Sequence, residues 1–263
     1  MNLTEIRSIL EELQIQPSKA LGQNFLIDGN IARLIVDQAN ISTGDIVLEI
    51  GPGLGALTTL LVERAGRLVT VERDRRLAAF LCQRFDGVKK LRVIEADAMK
   101  TDFNKLGLQN LQYTLVANLP YSIGTKLLLG LVEHGPRPKK IVVTVQREVA
   151  ERLTAVPGTK DYGAASVVAQ LLYSARIAHF ITPRCFWPPP KVESAVVTME
   201  WFPLPRLKLA QVATVIRLAH AGFAQRRKML RRLVPEKTLI ASGVSPLARA
   251  EEVSVEQWIA LGK

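Results

Sequence analysis

Two cysteines in a chain of 263 residues, Cys82 and Cys185, stand far apart and without a second pair. That scarcity excludes a disulfide framework and a cysteine-rich zinc site, and it fits a reducing compartment. The three histidines, His134, His179 and His220, have no metal-ligand spacing, so no metal is expected. Nearly half the residues are hydrophobic, yet no uninterrupted apolar run reaches the length of a membrane span. The opening MNLTEIRSILEEL carries acids and has no signal-peptide core. A soluble, cytoplasmic protein without a membrane partner is the expectation, and a monomer is assumed. Internal repeats and low-complexity tracts are also missing. The length suits one large domain, or one domain with a small appendage.

Positive charge is what the chain has in excess. A net charge of +11 favours contact with a polyanion, whether nucleic acid or acidic lipid. Between Glu200 and Glu236 there is no acidic residue, while Arg206, Lys208, Arg217, Arg226, Arg227, Lys228, Arg231 and Arg232 all fall inside. Such a run is ordinarily a solvated helix face.

From about Asp45 the chain alternates β-branched apolar runs with amphipathic stretches. IVLEI, RLVTVE, LRVIEAD, TLVAN and KIVVTVQ are the strand candidates; LTTLLVER, RRLAAFLCQRF and TKLLLGLVEH have helix-like apolar spacing. This order implies crossover units and a parallel sheet with helices on both faces. The strand candidates finish on or beside Glu49, Glu72, Asp97 and Asn118, which collects polar groups along one edge. Ligands of open α/β sheets bind beyond the carboxyl ends of the strands, although single acids there also cap helices. Farther on, Ser194 to Trp201 reads as a further strand of the antiparallel edge type. FPLPR reads as a linker, and the remainder from about Leu207 as small and helical.

LEIGPGLGALTTLL joins a strand to a helix through Gly51, Gly53 and Gly55. Glycines let the backbone approach a ligand and leave helix N-terminal amides free to meet it. With Ala56 in the last small position the loop also satisfies the loose dinucleotide pattern, so a nicotinamide enzyme competes. No acid or base suited to hydride transfer accompanies it. Glu72 closes the next strand at the spacing of an acid that accepts from both ribose hydroxyls of an adenosine. Asp97 would accept from the exocyclic amine of the adenine. In LGQNFLID, Asn24 could fold over the far end of such a ligand while Phe25 or Leu26 packs beside it; the alternative is a short loop burying both apolar residues.

VANLPYSIGTKLLL ends an apolar run on Asn118-Leu119-Pro120-Tyr121. Asn and Pro are common turn residues, but a second use follows from chemistry. The lone pair of an aromatic amine is delocalised into its ring, so the nitrogen attacks poorly unless its two hydrogens are held out of conjugation. The Asn118 side-chain oxygen and the Leu119 carbonyl are the candidate acceptors, with Pro120 fixing the backbone between them. Tyr121 would stack on a base extruded from its loop. A sulfonium methyl donor is already activated, so positioning suffices and neither strong base nor metal is needed.

LGQNFL, LEIGPGLGALT, the VE at 71 to 72, the ADA at 96 to 98, NLPY, FWPPPKV and FAQRRK together resemble the ribosomal RNA adenine N6,N6-dimethyltransferases, in particular the bacterial small-subunit branch. The likeness runs from about Pro17 to the C-terminus. It implies an α/β, Rossmann-like sheet for S-adenosylmethionine-dependent methyl transfer, residues 1–202, with a small C-terminal helical RNA-binding domain, residues 203–263. By this resemblance Asn24, Leu26, Gly51, Gly53, Glu72, Asp97 and Asn118 would contact S-adenosylmethionine. Asn118, Leu119 and Tyr121 would serve the target adenine, with Phe186 of FWPPPKV on its other face. Core packing is the alternative for Phe186. Arg226, Arg227 and Lys228 would bind RNA phosphates, which orient without reading sequence. The implied reaction places two methyl groups on each of two neighbouring adenines in a hairpin loop near the 3′ end of small-subunit ribosomal RNA, during small-subunit biogenesis. The implied partners are that RNA and the precursor of the small subunit. Ala224 stands where the family often has another basic residue. Two other functions stay open: a large-subunit methylase of the macrolide-resistance type, and a non-catalytic RNA-binding assembly factor on the same fold. Ser254 and Gln257 are spaced as a capping box for a last helix.

Overall fold

The computed structural model describes residues 3–18, 22–202 and 207–263. Leu21, Arg206 and most of the expected FPLPR linker lie outside the described residues. In chain order the first elements are α1 (Leu3–Glu12), β1 (Phe25–Leu26), α2 (Gly29–Ala39), β2 (Ile46–Ile50), α3 (Ala56–Arg64), β3 (Arg67–Glu72), α4 (Arg75–Arg84), β4 (Leu91–Glu95), β5 (Tyr113–Asn118), α5 (Gly124–His134) and β6 (Lys140–Gln146). They are followed by α6 (Arg147–Thr154), α7 (Ala164–Leu172), β7 (Tyr173–Ile181), β8 (Phe186–Trp187), β9 (Ser194–Trp201), α8 (Leu209–Ala224), α9 (Glu236–Ala241) and α10 (Val255–Leu261).

The strands β2, β3, β5 and β6 are buried almost throughout, as strands covered on both faces must be. They form a sheet in the order β4-β3-β2-β5-β6-β9-β7. The pairs β2–β3, β3–β4, β2–β5 and β5–β6 are parallel, with Leu48 opposite both Val69 and Leu115. The chain steps outward from β2 to β4 and then returns to the other side of β2 with β5. A switch point therefore opens between the carboxyl ends of β2 and β5, where open α/β sheets receive their ligands.

On one face Ala32, Ile35 and Val36 of α2 and Leu57 and Leu61 of α3 pack with Val47, Val116 and Val142 of the strands. Asp28 starts α2 by accepting the N–H groups of Asn30 and Ile31 at 2.8 and 3.2 Å. A second cluster joins Ile6 and Leu10 of α1 to Phe25, Leu54 and Leu77.

One expectation about the sheet is corrected. β9 is not an edge strand: it lies between β6 and β7, and its first six residues are all buried. The edge is β7, where Ser174, His179 and Phe180 are exposed. The run SAVVTM carries no charge, and its two hydroxyl residues, Ser194 and Thr198, are themselves buried, so it suits an interior position.

The chain divides into two compact units, Met1–Arg147 with Ile177–Met199, and Glu148–Arg176 with Glu200–Lys263. The second unit thus includes residues 148–176, which the expected boundary at 202/203 assigns to the first. Its interior explains why: the buried Tyr162 hydroxyl donates to the Val253 carbonyl at 2.8 Å, and its ring meets Phe223 edge-on at 5.8 Å. Trp258 of α10 is fully buried beside Phe223. The Ser254 and Gln257 capping box forms as spaced, with bonds of 3.2 and 2.9 Å.

Candidate active site

Gly51 and Gly53 have φ of 66° and 58°, a region that residues with a Cβ rarely adopt. A Cβ on Gly53 would also stand 3.2 Å from the Phe25 ring, so the loop lies bare against that aromatic. The loop is stapled by Glu72: its Oε2 accepts the Gly53 N–H at 3.0 Å, and its Oε1 accepts those of Arg73 and Asp74 at 2.8 and 2.9 Å. A carboxylate offers about four lone-pair sites, so one remains for a ribose hydroxyl while the staple holds. The expected pair of ribose bonds from Glu72 therefore requires the Gly53 bond or its neighbours to yield. Burial pushes the Glu72 carboxyl above the usual range, against the pull of those three N–H donors.

Asp97 follows β4, with Oδ1 accepting the Met99 N–H at 2.9 Å and Oδ2 3.7 Å from the Arg73 guanidinium. On the opposite wall Asn24 contributes its backbone: its carbonyl accepts the Asn118 side-chain N–H at 3.1 Å. The Asn24 side chain turns locally to Gly22. Leu26 in β1 pairs with Phe186 in β8 and is buried.

Asn118 ends β5 with its amide fixed at one end only. Its Nδ2 donates to the Asn24 carbonyl, whereas its Oδ1 is buried with no hydrogen-bond partner among the described residues. An unpaired buried acceptor costs about 1–3 kcal/mol, which a donor brought to it would recover. The Leu119 N–H donates to Thr144 of β6 at 3.2 Å, and among the described residues no hydrogen bond ends on the Leu119 carbonyl. Two residues on, the Tyr121 hydroxyl is hydrogen-bonded to Ser194 Oγ, which anchors the ring. Burial pushes that phenol upward, so it stays neutral.

All the residues expected to hold the cofactor, together with Asn118, Leu119 and Tyr121, line one cleft at the β2/β5 switch point. Phe186 does not. Its side chain is 2 % exposed and packs with Leu26, Ile35, Ile181 and Val196, so the structure gives it the core-packing role in place of a face toward the adenine. Two participants were not foreseen. Ser194 orients Tyr121 from 73 residues away, and no local signal links the two. Glu49, noted only as a polar strand end, lies beneath the cleft at 1 % exposure, accepts the Thr58 hydroxyl at 2.7 Å and is pushed up to about 8, chiefly by desolvation. Among the described residues no group of His, Cys, Asp and Glu is arranged to hold a metal ion, and no helix is long and apolar enough to cross a membrane.

In the second unit the basic segment 226–228 forms a turn after α8, not a helix face. Arg226 is committed internally, with Nε 2.5 Å from Glu251 Oε2 and Nη2 donating to the Lys160 carbonyl at 3.0 Å. Arg227 and Lys228 are exposed, with no side-chain partner among the described residues.

The model of the family described as ribosomal RNA adenine dimethylase matches residues 15–263. The chain belongs to the ribosomal RNA adenine dimethylase family. It is 42% identical to the ribosomal RNA small subunit methyltransferase A of Mesorhizobium japonicum, over 98% of this chain and 97% of that one. To the protein of the same name from Magnetococcus marinus it is 39% identical, over 97% and 94%. Among solved structures it is similar to a dimethyladenosine transferase from Plasmodium falciparum (TM-score 0.77, 26% identity, 90% of this chain and 95% of that one). It is also similar to the 23S rRNA methyltransferase ErmE (TM-score 0.67, 28% identity, 91% and 98%). As a dimethylase-family member the protein is a methyltransferase whose methyl donor is S-adenosylmethionine, and the nicotinamide reading falls. The cleft fits that donor: a loop with glycine at 51 and 53 that a Cβ would crowd or strain, two carboxylates able to take hydroxyl and amine hydrogens, and an orphaned acceptor at Asn118.

Proposed function

We propose that this protein dimethylates N6 of two adjacent adenines in a hairpin loop near the 3′ end of small-subunit ribosomal RNA. In this reading it acts in the cytoplasm, as a monomer, on a precursor of the small subunit during its biogenesis. The single observation that carries the chemistry is the buried Asn118 Oδ1 beside the Leu119 carbonyl, both without a hydrogen-bond partner among the described residues. The two acceptors match the two hydrogens of an adenine amine. Holding both hydrogens turns the nitrogen lone pair out of the ring and toward the cleft. S-adenosylmethionine, when bound, supplies a methyl carbon already activated by its sulfonium. The chain's own residues then position the reacting atoms and need supply no strong base. Tyr121, fixed by Ser194, provides the ring on which the extruded base rests. After one methyl has been added and the resulting cationic nitrogen has shed one proton to solvent, a single hydrogen remains, so only one of the two acceptors is engaged in the second transfer.

Arg227 and Lys228 are the exposed cations suited to RNA phosphates, with Arg226 as their internal support. The small-subunit branch is favoured by the names of the relatives at 39 and 42% identity, against 28% for ErmE. The test is mass spectrometry of ribosomal RNA after incubation with enzyme and S-adenosylmethionine. Dimethyladenosine in the 3′-terminal hairpin of the small-subunit RNA is expected. Label confined to large-subunit RNA would move the protein to the other branch, and donor binding without label in either RNA would make it a binding factor.

A further inference from the structure

We propose that Phe180, backed by Arg147, is a stacking platform for the nucleotide that flanks the target adenine; this rests on the RNA-methylating function proposed above. Phe180 is 46% exposed near the end of the edge strand β7. Isolated exposed apolar residues are common and by themselves mean little. This one is held. The Arg147 guanidinium sits over its ring, 5.0 Å from the centroid. Arg147 is held in turn, with Nη1 2.7 Å from Glu193 Oε2 and its backbone N–H donating to the Glu193 carbonyl at 2.9 Å. A guanidinium already balanced by a carboxylate is better placed to fix a ring than to neutralise a phosphate.

The position of this group is what gives it a use. Arg147 directly follows β6, whose Thr144 pairs with Asn118. Three residue steps along the strand, about 10 Å, take the chain from that pair to Arg147. Glu193 directly precedes Ser194, the residue that anchors Tyr121. The Phe180–Arg147–Glu193 group is thus tied through the backbone to both halves of the base site. Single-stranded RNA is recognised by splaying its bases and stacking them on aromatic rings and guanidinium planes, and such stacking tolerates any base. With two adjacent adenines as substrate, one must be parked while the other is methylated. Val192, 45% exposed, and the exposed Lys191 adjoin on the same loop and offer apolar and cationic contact to that nucleotide.

The test compares steady-state methylation of the RNA by the parent enzyme, Phe180→Leu and Phe180→Trp, with donor affinity measured separately by calorimetry. Leucine keeps the apolar cover of Arg147 but removes the π-face. Phe180→Leu is expected to raise the KM for RNA about tenfold with kcat within about twofold, donor affinity unchanged, and Phe180→Trp to restore the parent KM. An unchanged RNA KM in Phe180→Leu, or a loss of donor affinity in step with activity, would overturn the platform. A parent enzyme that methylates no RNA would instead sink the functional reading, and the platform with it.

Discussion

Asn118 is asked to bond in two directions, and only one of them is satisfied by the protein itself. Tyr121 is likewise divided: it lines the cleft, and its hydroxyl is spent on Ser194. If the hydroxyl serves only to aim the ring, Tyr121→Phe and Ser194→Ala should each lower kcat by roughly 3- to 10-fold. The double variant should then be no worse than either, because residues sharing one bond are not additive. A double-mutant cycle on methyl transfer checks this; additive losses would mean that the two act separately. Glu49 is the other residue with a measurable signature. Its carboxyl is raised to about 8, mainly by desolvation, aided by the charge of Glu72 and opposed by the Thr58 bond. A raised folded value means that the native protein holds the proton more tightly than the unfolded chain. The stabilisation is therefore complete below the unfolded value of 4.5, declines as pH rises, and is lost above about 8. Glu49→Gln stays neutral throughout. Thermal melts should show the variant gaining on the parent between pH 5 and 8.5; a constant difference would contradict the buried proton.

The elements most legible in the sequence are those whose surroundings demand an unbroken apolar run. The strands at 46–50, 67–72, 140–146 and 194–201 stand where IVLEI, RLVTVE, KIVVTVQ and SAVVTMEW begin and end, since both faces of each are covered. β7 gave no comparable signal. Helix α7 passes into it between Leu172 and Tyr173 with no Gly or Pro to mark the change, and an edge strand can mix Ser174, Arg176 and His179 among apolar residues. The site divided in the same way. Polar strand ends and a glycine loop are local features and could be read; the burial of Phe186 depends on pairing with Leu26, and the Tyr121–Ser194 tie on a β9 neighbour remote in sequence. The loop between β2 and α3 is itself an element with one strict requirement. Gly53→Ala would impose left-handed strain of about 1–2 kcal/mol and press a Cβ against Phe25. A fall in S-adenosylmethionine affinity of at least about tenfold is expected by calorimetry, with the fold retained by circular dichroism. Parent-like affinity would show that the bare loop is not what receives the donor.

At the scale of the whole molecule, the cleft residues Asn118 and Tyr121 belong to the first unit and the basic turn 226–228 to the second. Arg227 and Lys228, exposed and without side-chain partners among the described residues, should act through phosphates. Arg227→Ala with Lys228→Ala is expected to weaken RNA binding and to reduce the salt slope by about 0.7 for each contact to single-stranded phosphate. Arg226→Ala should behave differently, lowering the thermal stability through its lost ties to Glu251 and the Lys160 carbonyl. Filter binding across salt concentrations, with melting curves, separates the two; identical behaviour would remove the distinction. The most direct measurement of the central claim is the single-turnover rate of methyl transfer to small-subunit RNA by Asn118→Ala, at saturating donor and RNA. The grip of Asn118 Oδ1 on the adenine amine predicts a rate at least about 100-fold below the parent, with RNA affinity and its salt slope unchanged. A rate close to the parent's would contradict it.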